Sequence, residues 1–329
     1  MDIEVFTGAK EIINDYLPYT VGALLYVPCI SENLLSRVLK RSEEGVPSMA
    51  LCLEDSIHDS ALPDAQRNLK NTLAVLKDKS NICKLFVRVR NYEHLLHIHS
   101  YLEEYESVLT GYILPKFDLS NAEKYKEAII EINKGKKTPL YIMPILESAP
   151  VALIETRKNE LLGIKAILDS IKDYVLNIRV GGNDFCNLYG VRRSITQTIY
   201  DIGVIRNIFV DILNVFSMDY VVSGPVWEYF GSDLTGSWAK GIEKELELDR
   251  LNGFIGKTCI HPSQVQLVKE SLKVTKADFD DAMHILDWSN LQYDVEAGVE
   301  KNRMNEVKCH LNWAKKVYIL GKIYGIKDE

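Results

Sequence analysis

Pro139-Leu-Tyr-Ile-Met-Pro-Ile-Leu-Glu147 and Val175-Leu-Asn-Ile-Arg-Val-Gly-Gly-Asn-Asp184 are two mostly apolar runs that each close on a carboxylate. Short apolar runs bounded by turn signals read as buried strands. Between them, residues 149–173 carry Leu153, Ile154, Leu161, Leu162, Ile164, Ile167, Leu168 and Ile171 at helical spacing. A strand, helix, strand unit normally makes its two strands parallel. Parallel neighbours bring Glu147 and Asp184 to the same end of a sheet. Acids so placed suit a hard divalent cation such as Mg2+. They equally suit capping of the helices that follow them.

The same unit repeats outward from this pair. Strand patterns fall at 21–27, 48–53, 84–89, 111–114, 140–146, 176–181, 220–222 and 254–259. Helix-type spacing fills the gaps at 33–42, 64–76, 93–105, 121–132, 197–214, 238–251 and 263–270. Strands alternating with helices imply a parallel sheet, and eight such units are the count that closes a TIM (β/α)8 barrel. An open doubly wound sheet would expect a Gly-x-Gly-x-x-Gly turn after an early strand, and the sequence has none. The expectation is an α/β barrel over residues 1–275 with a helical extension at 276–329. In that extension Phe279, Met283, Ile285 and Leu286 mark one helix, Trp313, Val317 and Leu320 another. The segment from Tyr293 to Lys308 between them reads as a polar connection.

A barrel places its chemistry where strands end and βα loops begin. Those ends read Pro28, Glu54-Asp55, Arg88 with Arg90, Pro115-Lys116, Glu147, Asp184, Ser223-Gly224-Pro225 and His261. The run of polar, ionisable and turn-forming residues favours an active-site mouth. Lys116 either neutralises an anionic substrate or pairs with Glu54. Trp227, Glu228 and Tyr229 either shape a pocket or pack on the rim. His261, before Pro262, reads mainly as architecture. His94, His97 and His99 cluster in sequence, but 94 and 97 share a helix face and 99 does not, so a surface helix is expected rather than a metal site.

With 329 residues, 47% hydrophobic and 26% charged, the chain is expected to be a soluble globular protein with a sizeable core. A net charge of −7 argues against a nucleic-acid partner. No apolar run is long enough to cross a bilayer, so no membrane partner is expected. The first residues, Met1-Asp-Ile-Glu-Val-Phe-Thr-Gly8, lack the layout of a signal peptide, and the cytoplasm is the expected compartment. Cysteines 29, 52, 83, 186, 259 and 309 show no Cys-x-x-Cys spacing, which argues for free thiols and against a zinc site.

Taken in order, the strand ends resemble those of the citrate lyase beta-subunit-like C–C bond lyases, relatives of the metal-dependent pyruvate aldolases. The segments are Leu24-Leu-Tyr-Val-Pro28, Leu53-Glu-Asp55 with Arg67, Phe86-Val-Arg-Val89 and Leu114-Pro-Lys116. Ile145-Leu-Glu147, Gly181-Gly-Asn-Asp-Phe185 and Gly253-Phe-Ile-Gly-Lys-Thr-Cys-Ile-His-Pro262 continue them. The resemblance implies that Glu147 and Asp184 bind Mg2+, with Mn2+ as the alternative ion. It implies that Arg88 holds a substrate carboxylate and takes part in catalysis, with Glu54, Lys116 and Pro225 as further substrate-binding candidates. It also implies a catalytic acid from the tail, where Met304-Asn305-Glu306 offers Glu306 in place of the family's Asp. The activity implied is C–C bond cleavage or condensation on a small carboxylate or acyl substrate. A homo-oligomer is implied, a trimer by preference, with the tail reaching a neighbouring subunit. The departures at Cys29, Ile30-Ser31 and Cys52, and the tail from Glu306 to Trp313, weigh against coenzyme A. A metal-dependent acyl-ester hydrolase and a non-catalytic binding protein are the other readings.

Overall fold

A computed structural model describes residues 16–288 and 294–327. The N-terminal stretch read for a signal and Tyr293 lie outside these residues. The described chain forms two compact units: Val21–Val268, and the described part of Met1–Thr20 with Lys269–Glu329.

Val21–Val268 is built on eight parallel strands: β1 (Ala23–Pro28), β2 (Ser48–Cys52), β3 (Lys84–Arg88), β4 (Gly111–Leu114), β5 (Tyr141–Leu146), β6 (Ile178–Val180), β7 (Val222–Ser223) and β8 (Lys257–Cys259). Each strand pairs with the next, β8 pairs with β1, and a parallel bridge Gly224↔Lys257 joins β7 to β8, closing the ring. Strands covered on both faces need continuous rather than alternating apolar character. β2 and β4 show it, being buried at every position. Closure depends on Gly256, whose φ of +77° suits glycine and whose Cβ would stand 2.4 Å from the Gly22 carbonyl oxygen.

Between the strands run α1 (Leu34–Glu43), α2 (Leu62–Leu76), α3 (Tyr92–Leu102), α4 (Ala122–Asn133), α5 (Ala149–Ala152), α6 (Ile154–Asp169), α7 (Gly182–Leu188), α8 (Gly203–Phe216) and α9 (Ser237–Asn252), and α10 (Pro262–Leu272) follows β8. In α8, Ile205, Ile208, Phe209, Ile212, Leu213 and Phe216 are buried at the three- and four-residue spacing of one helix face. Burying such a side chain contributes about 1.5–3 kcal/mol. Asn91 caps α3 by accepting a hydrogen bond from the His94 N–H at 2.8 Å.

The second unit pairs α11 (Lys276–Leu286) with α12 (Val307–Tyr324) and holds a short antiparallel hairpin, β9 (Val295–Ala297) and β10 (Met304–Glu306). Tyr318 and Ile319 are its buried centre, with Tyr19, Phe279, Met283, Leu286 and Ile323 packed around them.

Several expectations change in detail. The polar connection between the two tail helices contains the hairpin. Its strands have three residues each and lack an alternating apolar face; Arg303 instead pairs with Asp278 and Asp281, and Asp281 accepts from the Val299 N–H at 2.7 Å. The helix after β5 is broken at Leu153 into α5 and α6, and α7 follows β6 where no helix was expected. His94 is not on a surface face: it is buried, accepts from the Arg90 N–H at 3.1 Å and meets Gln66 Nε2 at 3.0 Å. All six cysteines are free thiols.

Candidate active site

Glu147 directly follows β5 and is 5% exposed. Its Oε1 accepts from the Lys116 backbone N–H at 3.0 Å and lies 3.4 Å from Arg88 Nη2. Lys116 presents that N–H from the left-handed region, at φ +49°, a conformation that non-glycine residues adopt at a cost and that clusters at functional sites. Asp184 lies in the first turn of α7. A Cβ on Gly181 would stand 2.4 Å from Glu147 Oε2 and 3.2 Å from Asp184 Oδ2. The two carboxylates therefore meet over the bare backbone of Gly181, with Oε2 the Glu147 oxygen turned to Asp184. Neither the helix after Glu147 nor the one that contains Asp184 has a side-chain cap: the N-cap residues are Ser148 and Gly181.

Arg88 ends β3 with its guanidinium among acids. Its Nη2 is 2.9 Å from Glu54 Oε2 and 3.1 Å from Asp55 Oδ2, while Nε is buried with no hydrogen-bond partner. Lys116 Nζ pairs with Glu54 Oε1 at 3.0 Å and reaches Asp55 at 3.5 Å. Pairing with Glu54 is thus the arrangement Lys116 adopts.

These groups reset one another's protonation. Burial, reinforced by the charges of Asp184 and Glu54, pushes the Glu147 carboxyl up to about 8 against the pull of Arg88 and the Lys116 N–H. Burial likewise raises Glu54, helped by Asp55. Burial works to raise Asp55 too, but its hydrogen bond with Glu54 and the charges of Arg88 and Lys116 prevail and lower it. Burial opposes the charge on Arg88, yet Tyr26, Glu147 and Glu54 outweigh it, and the guanidinium stays charged.

Glu147, Asp184, Asp55 and Arg88 line a pocket of about 220 Å3 at the carboxyl ends of the strands, whereas Glu54 and Lys116 lie outside its lining. Tyr26, Arg179, Asn183, Val226 and Thr258 also line it. Pro225 is buried, and its Cβ would come within 2.8 Å of a side chain at Gly182, while its neighbour Val226 faces the pocket. Glu306 ends β10 in the other unit, where its N–H donates to His310 Nδ1 at 2.9 Å. Trp227 is fully buried against Arg193, and Gln264 donates to the Trp227 and Tyr229 carbonyls at 2.9 Å, so that loop is packed at the rim. His261 stacks on Phe230. Arg67 makes an exposed pair with Asp64.

Sequence reading missed Tyr26, Thr258 and above all Arg179 as pocket residues. A lone arginine inside the apolar run of β6 was the available signal, because charged side chains are rarely buried without a task.

Two carboxylates over a glycine fit a hard cation such as Mg2+, which takes oxygen ligands and keeps open positions. Among the described residues, no group of three or more His, Cys, Asp or Glu side chains gathers as a metal site. Glu147 and Asp184 would supply two ligands and leave the remainder to water and substrate.

An eight-stranded parallel barrel with an acidic pocket at the carboxyl ends of its strands defines a TIM-barrel protein. The chain matches, over residues 15–326, the family described as C–C bond lyase of the TIM-barrel fold, and it belongs to that family. Its fold is similar to that of a citrate lyase from Burkholderia xenovorans LB400, with TM-score 0.68 and 14% identity over 94% of each chain. It is also similar to the protein CitE from Mycobacterium tuberculosis in complex with magnesium, acetoacetate and coenzyme A. That match has TM-score 0.60 and 18% identity over 92% of this chain and 98% of the other. The Haloferax volcanii malate synthase magnesium/glyoxylate complex matches with TM-score 0.60 and 12% identity over 77% and 76% of the two chains. Comparison with curated proteins found no match.

Proposed function

We propose that this protein is a Mg2+-dependent C–C bond lyase acting on a small carboxylate substrate. The observation that carries this reading is the division of labour at Glu147: Oε1 is held by the Lys116 N–H, and Oε2 faces Asp184 over Gly181. Family membership and the magnesium and small carboxylates named with fold relatives support it. A divalent cation bound there would supply Lewis acidity to a substrate oxygen as the carbon–carbon bond breaks or forms.

The chain's own residues do the rest. Lys116, through its strained backbone, fixes the rotation of the Glu147 carboxylate. Glu54 and Asp55 orient the Arg88 guanidinium, whose planar fork suits a substrate carboxylate. Lys116 Nζ holds Glu54 in turn. Tyr26 backs Arg88, its ring centroid 5.7 Å from the guanidinium carbon. Pro225 shapes the wall by packing on Gly182 and presenting Val226. Glu306 is the proposed base for a substrate hydroxyl proton, delivered from the extension at 276–329 in a homo-oligomer, preferably a trimer.

Mg2+ or Mn2+ is expected to raise the melting temperature of the wild type, because a ligand of the folded state shifts unfolding by mass action. Glu147→Gln and Asp184→Asn are each expected to abolish most of that rise while melting cooperatively. Thermal scans with and without metal check it. Variants that respond to metal like the wild type would place the cation elsewhere and sink the proposal.

A further inference from the structure

Arg179 is the middle residue of β6, in register with Ile145 of β5 and Ser223 of β7. It is 1% exposed, yet it lines the pocket. Nη2 donates to Thr258 Oγ1 at 2.7 Å, whereas Nε and Nη1 are buried with no protein hydrogen-bond partner. Among the described residues its guanidinium makes no ion pair. Its charged neighbour is another cation, Arg88, and the Tyr26 phenol within hydrogen-bonding reach is kept neutral by burial, so it supplies no counter-charge.

The rest of the molecule shows how unusual this is. Lys257, fully buried, is paired with both Glu245 at 2.9 Å and Asp249 at 2.7 Å. Arg193, also fully buried, has its Nε 3.3 Å from Glu245. A buried cation without a matching anion is strongly disfavoured, and guanidinium does not escape by losing its proton. Arg88, the other buried arginine that lines the pocket, is matched by Glu54, Asp55 and Glu147, whereas Arg179 makes no such pair among the described residues. A substrate anion is the missing counter-charge.

Position along the sheet sets the geometry. Ile145, the partner of Arg179, precedes Glu147 by two residues, so the Arg179 Cα enters the sheet roughly 6.6 Å deeper along the strands than that of Glu147. A pocket of about 220 Å3 has room for a short-chain diacid, and two arginines, Arg88 and Arg179, line it. We propose that Arg179 binds a second carboxylate of the substrate at the floor of the pocket, so that the site selects small dicarboxylates over monocarboxylates. The inference rests on the lyase reading only for the outer carboxylate, which that reading gives to Arg88 and to a cation held by Glu147 and Asp184.

The test titrates the protein with lactate, malate and 2-hydroxyglutarate by calorimetry, with and without Mg2+. The wild type is expected to bind at least one diacid about tenfold or more tightly than lactate, the size of a charge-assisted contact. Arg179→Met is expected to erase that preference by weakening the diacid and leaving lactate unchanged, and Arg179→Lys to restore part of it. Ligand-free Arg179→Met is expected to melt no lower than wild type, since it removes an unpaired buried charge; an arginine serving only the fold would melt lower on removal. A wild type without diacid preference, an Arg179→Met variant that keeps it, or Arg179→Met and Arg179→Gln variants that both fail to fold would overturn the proposal. Diacid preference that persists without Mg2+ and in Glu147→Gln upholds Arg179 while sinking the metal reading. Mg2+-dependent lactate binding without diacid preference does the reverse.

Discussion

At the scale of single residues, Gly181 organises the site by having no side chain. A Cβ there would stand 2.2 Å from the Glu147 Cβ, a distance real contacts do not reach. Gly181→Ala should therefore push the two carboxylates apart, costing on the order of 1–3 kcal/mol of stability as overpacking does. The thermal response to Mg2+ should fall more than the stability. Scans of the variant with and without metal decide it: an unchanged metal response would mean that close approach of the acids is immaterial. Glu147, Asp184, Arg88, Glu54 and Lys116 were legible as candidates because each ends or follows a strand, and parallel strands bring such residues together. Arg179 was not legible, because reading for strand ends looks past a charged residue in the middle of a strand. Nor does spacing reveal that Lys116 acts through its backbone as well as its amine.

At the scale of elements, buried polar contacts tie helices to the barrel where apolar packing alone does not fix them. Lys257 at the start of β8 holds Glu245 and Asp249 of α9, and Asp249 also accepts from Tyr200 Oη at 2.6 Å. Lys257→Met would leave two buried acids facing one cation, and breaking such a pair costs about 3–5 kcal/mol. Urea unfolding should show that loss; a change below about 1 kcal/mol would mean that the network relaxes freely. His94 ties α3 to the Arg90 N–H and to Gln66 of α2. Burial, with the charges of Arg90 and His97, pushes its pKa down to about 4, against roughly 6.5 in the unfolded chain. Between those values the unfolded chain takes up a proton that the folded one refuses, so the stabilisation present above pH ~6.5 is lost as pH falls towards 4. His94→Gln should flatten that part of the stability profile, measured as urea midpoints from pH 7 to 4. Parallel slopes in variant and wild type would refute it. The eight strands were legible because each is a short buried run between turns. The β9–β10 hairpin was not, since ion pairs and backbone hydrogen bonds stabilise it without leaving a hydrophobic period.

At the scale of the molecule, the family and the barrel followed from the order of strand ends, whereas the role of the tail depends on assembly. The second unit carries Glu306 on β10, next to a helix pair with its own apolar centre. If Glu306 supplies the base to a neighbouring subunit, activity belongs to an oligomer and two different defects can complement each other. Glu306→Gln lacks the base but retains the Glu147–Asp184 pair; Asp184→Asn lacks half the pair but retains the base. Each variant alone is expected to be inactive. Dissociated and reassembled together, they form some sites that take Glu306 from one chain and Asp184 from another. Those sites are expected to recover activity, at most about a quarter of the wild-type level if subunits mix at random and each site draws on two chains. Light scattering of the wild type should at the same time report a homo-oligomer. A monomeric wild type, or mixed oligomers as inactive as their parents, would refute sharing between subunits and confine the reaction to groups within one chain.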